Sequence, residues 1–138
     1  MSYLLDTDIL SELRKRECNP GVKKWLHAIH PSDLFLSVVT IGEVERGIIR
    51  QKKSNPQFAA VLAQWMEDIL VHYQDRILPI DTSVARHWGN LCAHQGHGNA
   101  DLLIAATAWI HELTVVTRNT RHFAPSGVAV LDPFTPSH

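Results

Sequence analysis

An alternation constrains this chain more than any other feature. Short apolar runs of strand character are separated by longer stretches with apolar residues at three-and-four spacing. The runs are Tyr3-Leu4-Leu5, Leu34-Phe35-Leu36-Ser37, Ile77-Leu78-Pro79-Ile80, Thr114-Val115-Val116-Thr117 and Val128 to Leu131. Helices are expected from about Thr7 to Lys15 and from Pro20 through Trp25 to Ile29. A third carries the stripe Ile41, Val44 and Ile48. Ser54-Asn55-Pro56 opens a fourth, where Phe58, Val61, Leu62, Trp65, Ile69 and Tyr73 mark a buried face. Asp81 caps a fifth with Val84, Trp88 and Leu91, and a sixth runs from Ala100 to Glu112. Trp65, Trp88 and Trp109 fall on core stripes. Strands alternating with helices need crossover connections, so the class is α/β, with a mostly parallel sheet covered on both faces. The 138 residues suit a single domain spanning 1–138.

Composition narrows what such a domain does. Thirteen basic and 14 acidic side chains give a net charge of −1. No whole-molecule field holds nucleic acid, so any such binding rests on local patches or on a metal. Cys18 and Cys92 form no C-x-x-C pair, which reads as two packing thiols in a reducing compartment. The N-terminus lacks a basic n-region and Asp6 interrupts its apolar run, so no signal peptide is expected. Leu102 to Ile110 is too short to span a bilayer. A cytoplasmic protein without membrane attachment is the expectation.

The acids are placed unevenly. Asp6 ends the first strand, followed by Thr7 and Asp8, and ligands of open α/β sheets sit outside the carboxyl ends of strands. Glu43 lies about a turn into the helix after the second strand, and Asp101 opens the nearly all-apolar sixth helix. Each acid alone has a plain reading: Asp is a favoured N-cap, and helix N-terminal amides could satisfy Asp101. Several acids at one end of one sheet are explained more simply by a shared cation. Oxygen ligands of this kind suit Mg²⁺, with Mn²⁺ as a substitute.

Four segments carry a resemblance: Leu5-Asp6-Thr7-Asp8-Ile9-Leu10-Ser11-Glu12-Leu13, Ser37-Val38-Val39-Thr40-Ile41-Gly42-Glu43, Asp101-Leu102-Leu103-Ile104-Ala105-Ala106 and Thr117-Arg118-Asn119-Thr120-Arg121-His122-Phe123. In this order, over nearly the full length, the chain resembles a PIN domain of the VapC toxin group, FitB-type branch. The resemblance implies a three-layer α/β/α sandwich and a Mg²⁺-dependent ribonuclease, the toxin of a toxin–antitoxin pair. It also implies an RNA substrate, a homodimer, and a small antitoxin of the VapB or FitA kind through which alone operator DNA is reached. The family's acidic site maps onto Asp6, Glu43 and Asp101 as catalytic residues and metal ligands, with Asn119 as a further catalytic position. Many relatives have Asp where this chain has His122. Asp8, Thr117, Arg118, Arg121 and His122 are the accessory or substrate-binding residues.

Two rival readings use the same residues. Asp6-x-Asp8 after a strand also fits a phosphatase of the haloacid-dehalogenase type, with Asp6 as nucleophile. A catalytically weak PIN-fold partner in a DNA-binding FitAB-like complex is the other. His94 and His97 have H-x-x-H spacing, but Gly96 and Gly98 make Gln95 to Asn99 a loop, read as a polar segment along the substrate edge rather than a zinc site.

Overall fold

The computed structural model describes residues 1–135, so the last three residues of the expected 1–138 domain lie outside the described residues. In chain order the elements are β1 (Tyr3–Leu5), α1 (Thr7–Arg14), α2 (Pro20–His27), β2 (Leu34–Ser37), α3 (Val38–Ser54) and α4 (Pro56–His72). There follow β3 (Ile77–Leu78), α5 (Thr82–Gln95), α6 (Ala100–His111), β4 (Thr114–Val116), α7 (Thr120–Phe123) and β5 (Val130–Leu131). The five strands form one sheet in the order β3-β2-β1-β4-β5, parallel at every pairing. Leu4 pairs with Phe35 on one side and Val115 on the other, and Leu5 pairs with Val116.

Successive strand residues point to opposite faces, and the core divides accordingly. Leu4, Phe35 and Val115 pack with Val84 and Leu91 of α5 and with Leu102, Ile104 and Ala105 of α6. Leu5, Leu34, Leu36 and Val116 pack with Ile9, Leu10, Val22, Val44, Ile48 and Met66 of α1 to α4. Both faces are covered, which is why these strands read as unbroken apolar runs. The result is the expected α/β/α sandwich.

Strand order creates the site. From β1 the chain winds outward through β2 to β3, then crosses back and continues with β4 and β5 on the other side. The winding reverses between β1 and β4. The crevice at the carboxyl ends of two such strands is open because the connections leave it in opposite directions.

Local chemistry sets the element ends. Asn19 and Asn55 cap α2 and α4, each followed by Pro at the first helical position, and Asp81 accepts the Val84 amide at 2.9 Å as expected. β3 stops at Leu78 because Pro79 has no N–H for the ladder. β5 starts at Val130, two residues late, since a 3₁₀ turn at Ala124–Ser126 and Gly127 in the left-handed region (φ 77°) come first. Helix α7 was not expected: four residues are too few to show a stripe.

Two apolar assignments are corrected. Val61 is 59% exposed and Trp109 is 50% exposed. Ala59 and Met66 hold the inner face of α4, and small residues on α6 (Ala105, Ala106 and Ala108) bring that helix close to the sheet. Trp109 is left on the outer rim, stacked on His87 at 5.3 Å.

Beyond β5 the chain turns back over the start of α2. Asn19 Oδ1 accepts the Thr135 amide at 2.9 Å and its Nδ2 donates to the Thr135 carbonyl at 3.1 Å. A Cβ at Gly21 would overlap Thr135 Oγ1 and the Pro133 carbonyl, so only glycine permits this approach. The Phe134 ring lies 4.6 Å from the Arg118 guanidinium. Among the described residues, no helix is long and apolar enough to cross a membrane.

Candidate active site

Asp6 leaves the carboxyl end of β1 with its own amide bonded to the Val116 carbonyl at 2.9 Å. It is the N-cap of α1, and its Oδ1 accepts the Thr7 amide at 2.8 Å. The Thr117 hydroxyl, arriving from the end of β4, donates to Asp6 Oδ2 at 2.9 Å. Thr117 itself is fully buried and accepts the Asn119 amide at 3.0 Å. Two strand ends 111 residues apart in sequence are thus joined across the crevice.

The other acids gather around this pair. Asp8, in the first turn of α1, places Oδ2 3.4 Å from the Thr117 hydroxyl and accepts the Arg118 amide at 2.9 Å. Its Oδ1 is buried and has no hydrogen-bond partner. Glu43 enters from α3, with Oε1 accepting the Thr7 hydroxyl at 2.7 Å, and the Thr40 hydroxyl lies 3.2 Å from that of Thr7. Thr7 therefore ties Asp6 through its amide and Glu43 through its hydroxyl. Asp101, half-buried in the first turn of α6, has Oδ2 3.3 Å from His122 Nδ1.

Charge follows from this packing. Asp6 is only 5% exposed. Burial, with the negative charges of Asp8 and, more weakly, Asp101, pushes its carboxyl up from 3.8 to about 7, against the pull of the Thr117 and Thr7 hydrogen bonds. Burial likewise raises Asp8, with Asp132 adding to it, although the Arg118 amide opposes the rise. An acid cluster that raises its own proton affinity is a site short of positive charge.

The oxygen donors fit a hard divalent cation, and the unpartnered Asp8 Oδ1 and the proton-hungry Asp6 are the two observations that say so. Among the described residues, no three His, Cys, Asp or Glu side chains are grouped closely enough to hold a metal ion together: Asp6 and Asp8 meet at Thr117, Glu43 is reached through Thr7, and Asp101 pairs with His122.

The positions predicted from sequence separate into three groups. Asp6, Asp8 and Thr117 are in direct contact. Glu43 is joined to them through Thr7, and Asp101 stands close enough for its charge to act on Asp6. Asn119 is exposed at the N-cap of α7 and its side chain makes no capping bond, while the Arg118 side chain turns away onto Phe134. Arg121 and His122 line a polar cavity beside Asp101. Thr7 and Thr40 were not singled out beforehand. A hydroxyl directly after a strand-end acid was the only signal for Thr7, and it looks like an ordinary first-turn residue. A larger cavity of about 410 Å³ near Trp109 lies at the opposite end of the sheet and contains Glu112 as its one ionisable group.

Known proteins place this geometry. The family model described as the PIN domain matches residues 3–126. Toxin FitB of Neisseria gonorrhoeae is 37% identical over 140 residues, which cover 95% of this chain and 97% of that protein. VapC ribonuclease Y4jK of Sinorhizobium fredii is 31% identical over 140 residues, covering 97% and 99%. A solved structure described as FitAB bound to an IR36 DNA fragment superposes with a TM-score of 0.84 at 35% identity, covering 99% of this chain and 98% of that one. With a family model matched along most of its length and relatives this similar from end to end, the chain belongs to the PIN domain family.

Proposed function

We propose that the protein is a divalent-metal-dependent endoribonuclease that serves as the toxin of a toxin–antitoxin pair. The observation that carries this reading is Asp6: a buried carboxylate at the switch crevice, with Asp8 beside it and Asp101 near enough for its charge to act, raised to about 7. Asp6 and Asp101 would hold Mg²⁺ or Mn²⁺, with Glu43 acting directly or through water. When bound, the ion supplies a polarised phosphate and a water of lowered pKa.

The chain's own groups do the positioning. Thr117 fixes the rotamer of Asp6, and Thr7 fixes Glu43 against it. Held this way, Asp6 and Glu43 have little freedom to swing away from the crevice when an ion and a phosphodiester arrive. Asn119, exposed beside Thr117, supplies a hydrogen-bonding amide at the same edge. Residues 1–138 act as one domain in the cytoplasm, in keeping with the two free thiols.

Relatives support the rest of the assignment. One is named a VapC ribonuclease and another a toxin, and the superposed structure is of FitAB on DNA. By analogy this protein forms a homodimer, is neutralised by a small antitoxin, and reaches operator DNA only through it. The phosphatase alternative is disfavoured because both Asp6 oxygens accept hydrogen bonds, which blunts a nucleophile. The deciding experiment incubates purified protein with single-stranded RNA in Mg²⁺, Mn²⁺ or EDTA, beside the Asp6→Asn variant. Cleavage by the wild type alone, and only with metal, is expected. Cleavage in EDTA or by Asp6→Asn would refute the reading.

A further inference from the structure

Beside Asp101, outside the acid crevice itself, the structure holds a cavity of about 300 Å³, bordered by Gln95, His97, Asn99, Asp101, Arg121 and His122. Its size is at the lower end of ligand pockets, which run from about 300 to 1,000 Å³. That is room for one base with part of its sugar, not for a duplex. We infer that this cavity is a base-reading subsite, which seats the nucleobase next to the cleaved phosphodiester and recognises its hydrogen-bonding edge.

Its wall is built rather than loose. Helix α5 ends at Gly96, which is in the left-handed region (φ 76°) and donates its amide to the Cys92 carbonyl at 2.9 Å. A Cβ at Gly98 would already touch Cys92 Sγ and the Trp88 ring, so the loop is folded down onto α5. Gln95 is anchored from the other side: its Nε2 donates to the Pro125 carbonyl at 2.9 Å. Its side-chain carbonyl then has no partner among the described residues.

Asn99 supplies the second observation. An Asn at an N-cap ordinarily accepts an amide of the first turn. Here Asn99 is the N-cap of α6 and makes no such bond, so its carboxamide, donor and acceptor together, is free on the cavity rim. Carboxamides match bases that present a donor beside an acceptor, as adenine does. His97 and Arg121 add planar groups of the kind on which unstacked RNA bases lie. Asp101 belongs to both the cavity and the acid cluster, so a base held here would adjoin the phosphate to be cut.

This subsite rests on the ribonuclease reading, and the test separates the two. A pool of single-stranded RNA with randomised sequence is digested by the wild type, Gln95→Ala, Asn99→Ala and Asn99→Asp, and the new ends are sequenced. The wild type is expected to prefer one base at a position adjoining the cut. Gln95→Ala and Asn99→Ala should each lower that preference roughly fivefold or more, the lower range for a paired base contact. Asn99→Asp, which keeps the shape and removes the donor, should change which base is preferred. Thermal melts identify any variant that fails to fold, and the isosteric Asp variant guards against that outcome. An unchanged base profile in folded variants overturns the subsite and leaves the ribonuclease reading standing. No cleavage by the wild type with Mg²⁺ or Mn²⁺ removes both.

Discussion

The two ends of α1 carry acids of similarly low exposure and opposite character, Asp6 deep at the strand ends and Glu12 just beneath the surface. Asp6 at the N-terminal end is pushed up to about 7. Glu12, two turns later and 8% exposed, is pulled below the usual carboxylate range, chiefly by the Asn19 amide at 2.9 Å, with Lys15 Nζ at 3.1 Å contributing. Glu12 is satisfied: each oxygen has a donor, and the acid pins the turn between α1 and α2. Asp6 also accepts two hydrogen bonds, yet its neighbours are Asp8 and Asp101, and the local charge stays uncompensated. Low exposure alone therefore does not mark a functional acid; deep burial, with like charges beside it and no counter-charge, does.

The sharpest break in that comparison is catalytic. Asp6→Asn should lower RNA cleavage by more than the roughly 10–100-fold that loss of an outer-sphere partner costs, whereas Glu12→Gln should stay within a fewfold of wild type. Comparable losses in single-turnover assays would dissolve the distinction between the two acids.

Next in size is the pH dependence of stability without divalent ions. Between 3.8 and about 7 the folded chain holds a proton on Asp6 that the unfolded chain has released. Folding stability should therefore fall as pH rises through that window, by up to ~1.4 kcal/mol per pH unit. Asp6→Asn should flatten this part of the urea-denaturation profile and, in EDTA near pH 8, melt at or above the wild-type temperature. A steeper or unchanged slope in the variant would contradict the burial and like-charge origin of the shift.

Glu12→Ala comes third. It leaves the half-buried Asn19 amide without its acceptor, which costs about 1 kcal/mol, the lower end of the range for an unmet buried group. Chemical denaturation should show that loss, with Mn²⁺ affinity by calorimetry unchanged; weakened Mn²⁺ binding would mean the two ends of α1 are coupled. Smallest is Lys15→Ala. Its ammonium is largely exposed, so the pair with Glu12 should be worth no more than about 1 kcal/mol and should fade with salt.

The same contrast shows what could be read beforehand. Leu4 and Leu5, Val115 and Val116 are apolar on both sheet faces, so the buried parallel strands stood out. Asp6, ending such a strand, had a place in the expected site. Glu12 and Asp6 could not be told apart, because partners such as Asn19 and Thr117 are set by backbone paths rather than by spacing. Trp109 was assigned to the core by its helical phase, yet phase says nothing about how closely small residues let α6 approach the sheet. The polar loop from Gln95 to Asn99 was seen as a substrate edge, while its enclosure against Arg121 and His122 depended on α7, which four residues could not announce. Strand order, and with it the crevice between β1 and β4, is likewise decided by crossover packing that no local pattern records.

The doubly bonded Asn19–Thr135 contact has one more implication. Position 21 behaves as a remote lever. A single methyl there would wedge the tail from α2, carry Phe134 out from beneath the Arg118 guanidinium, and loosen the backbone amide that grips Asp8. A substitution that touches no acid would then be felt at the acids.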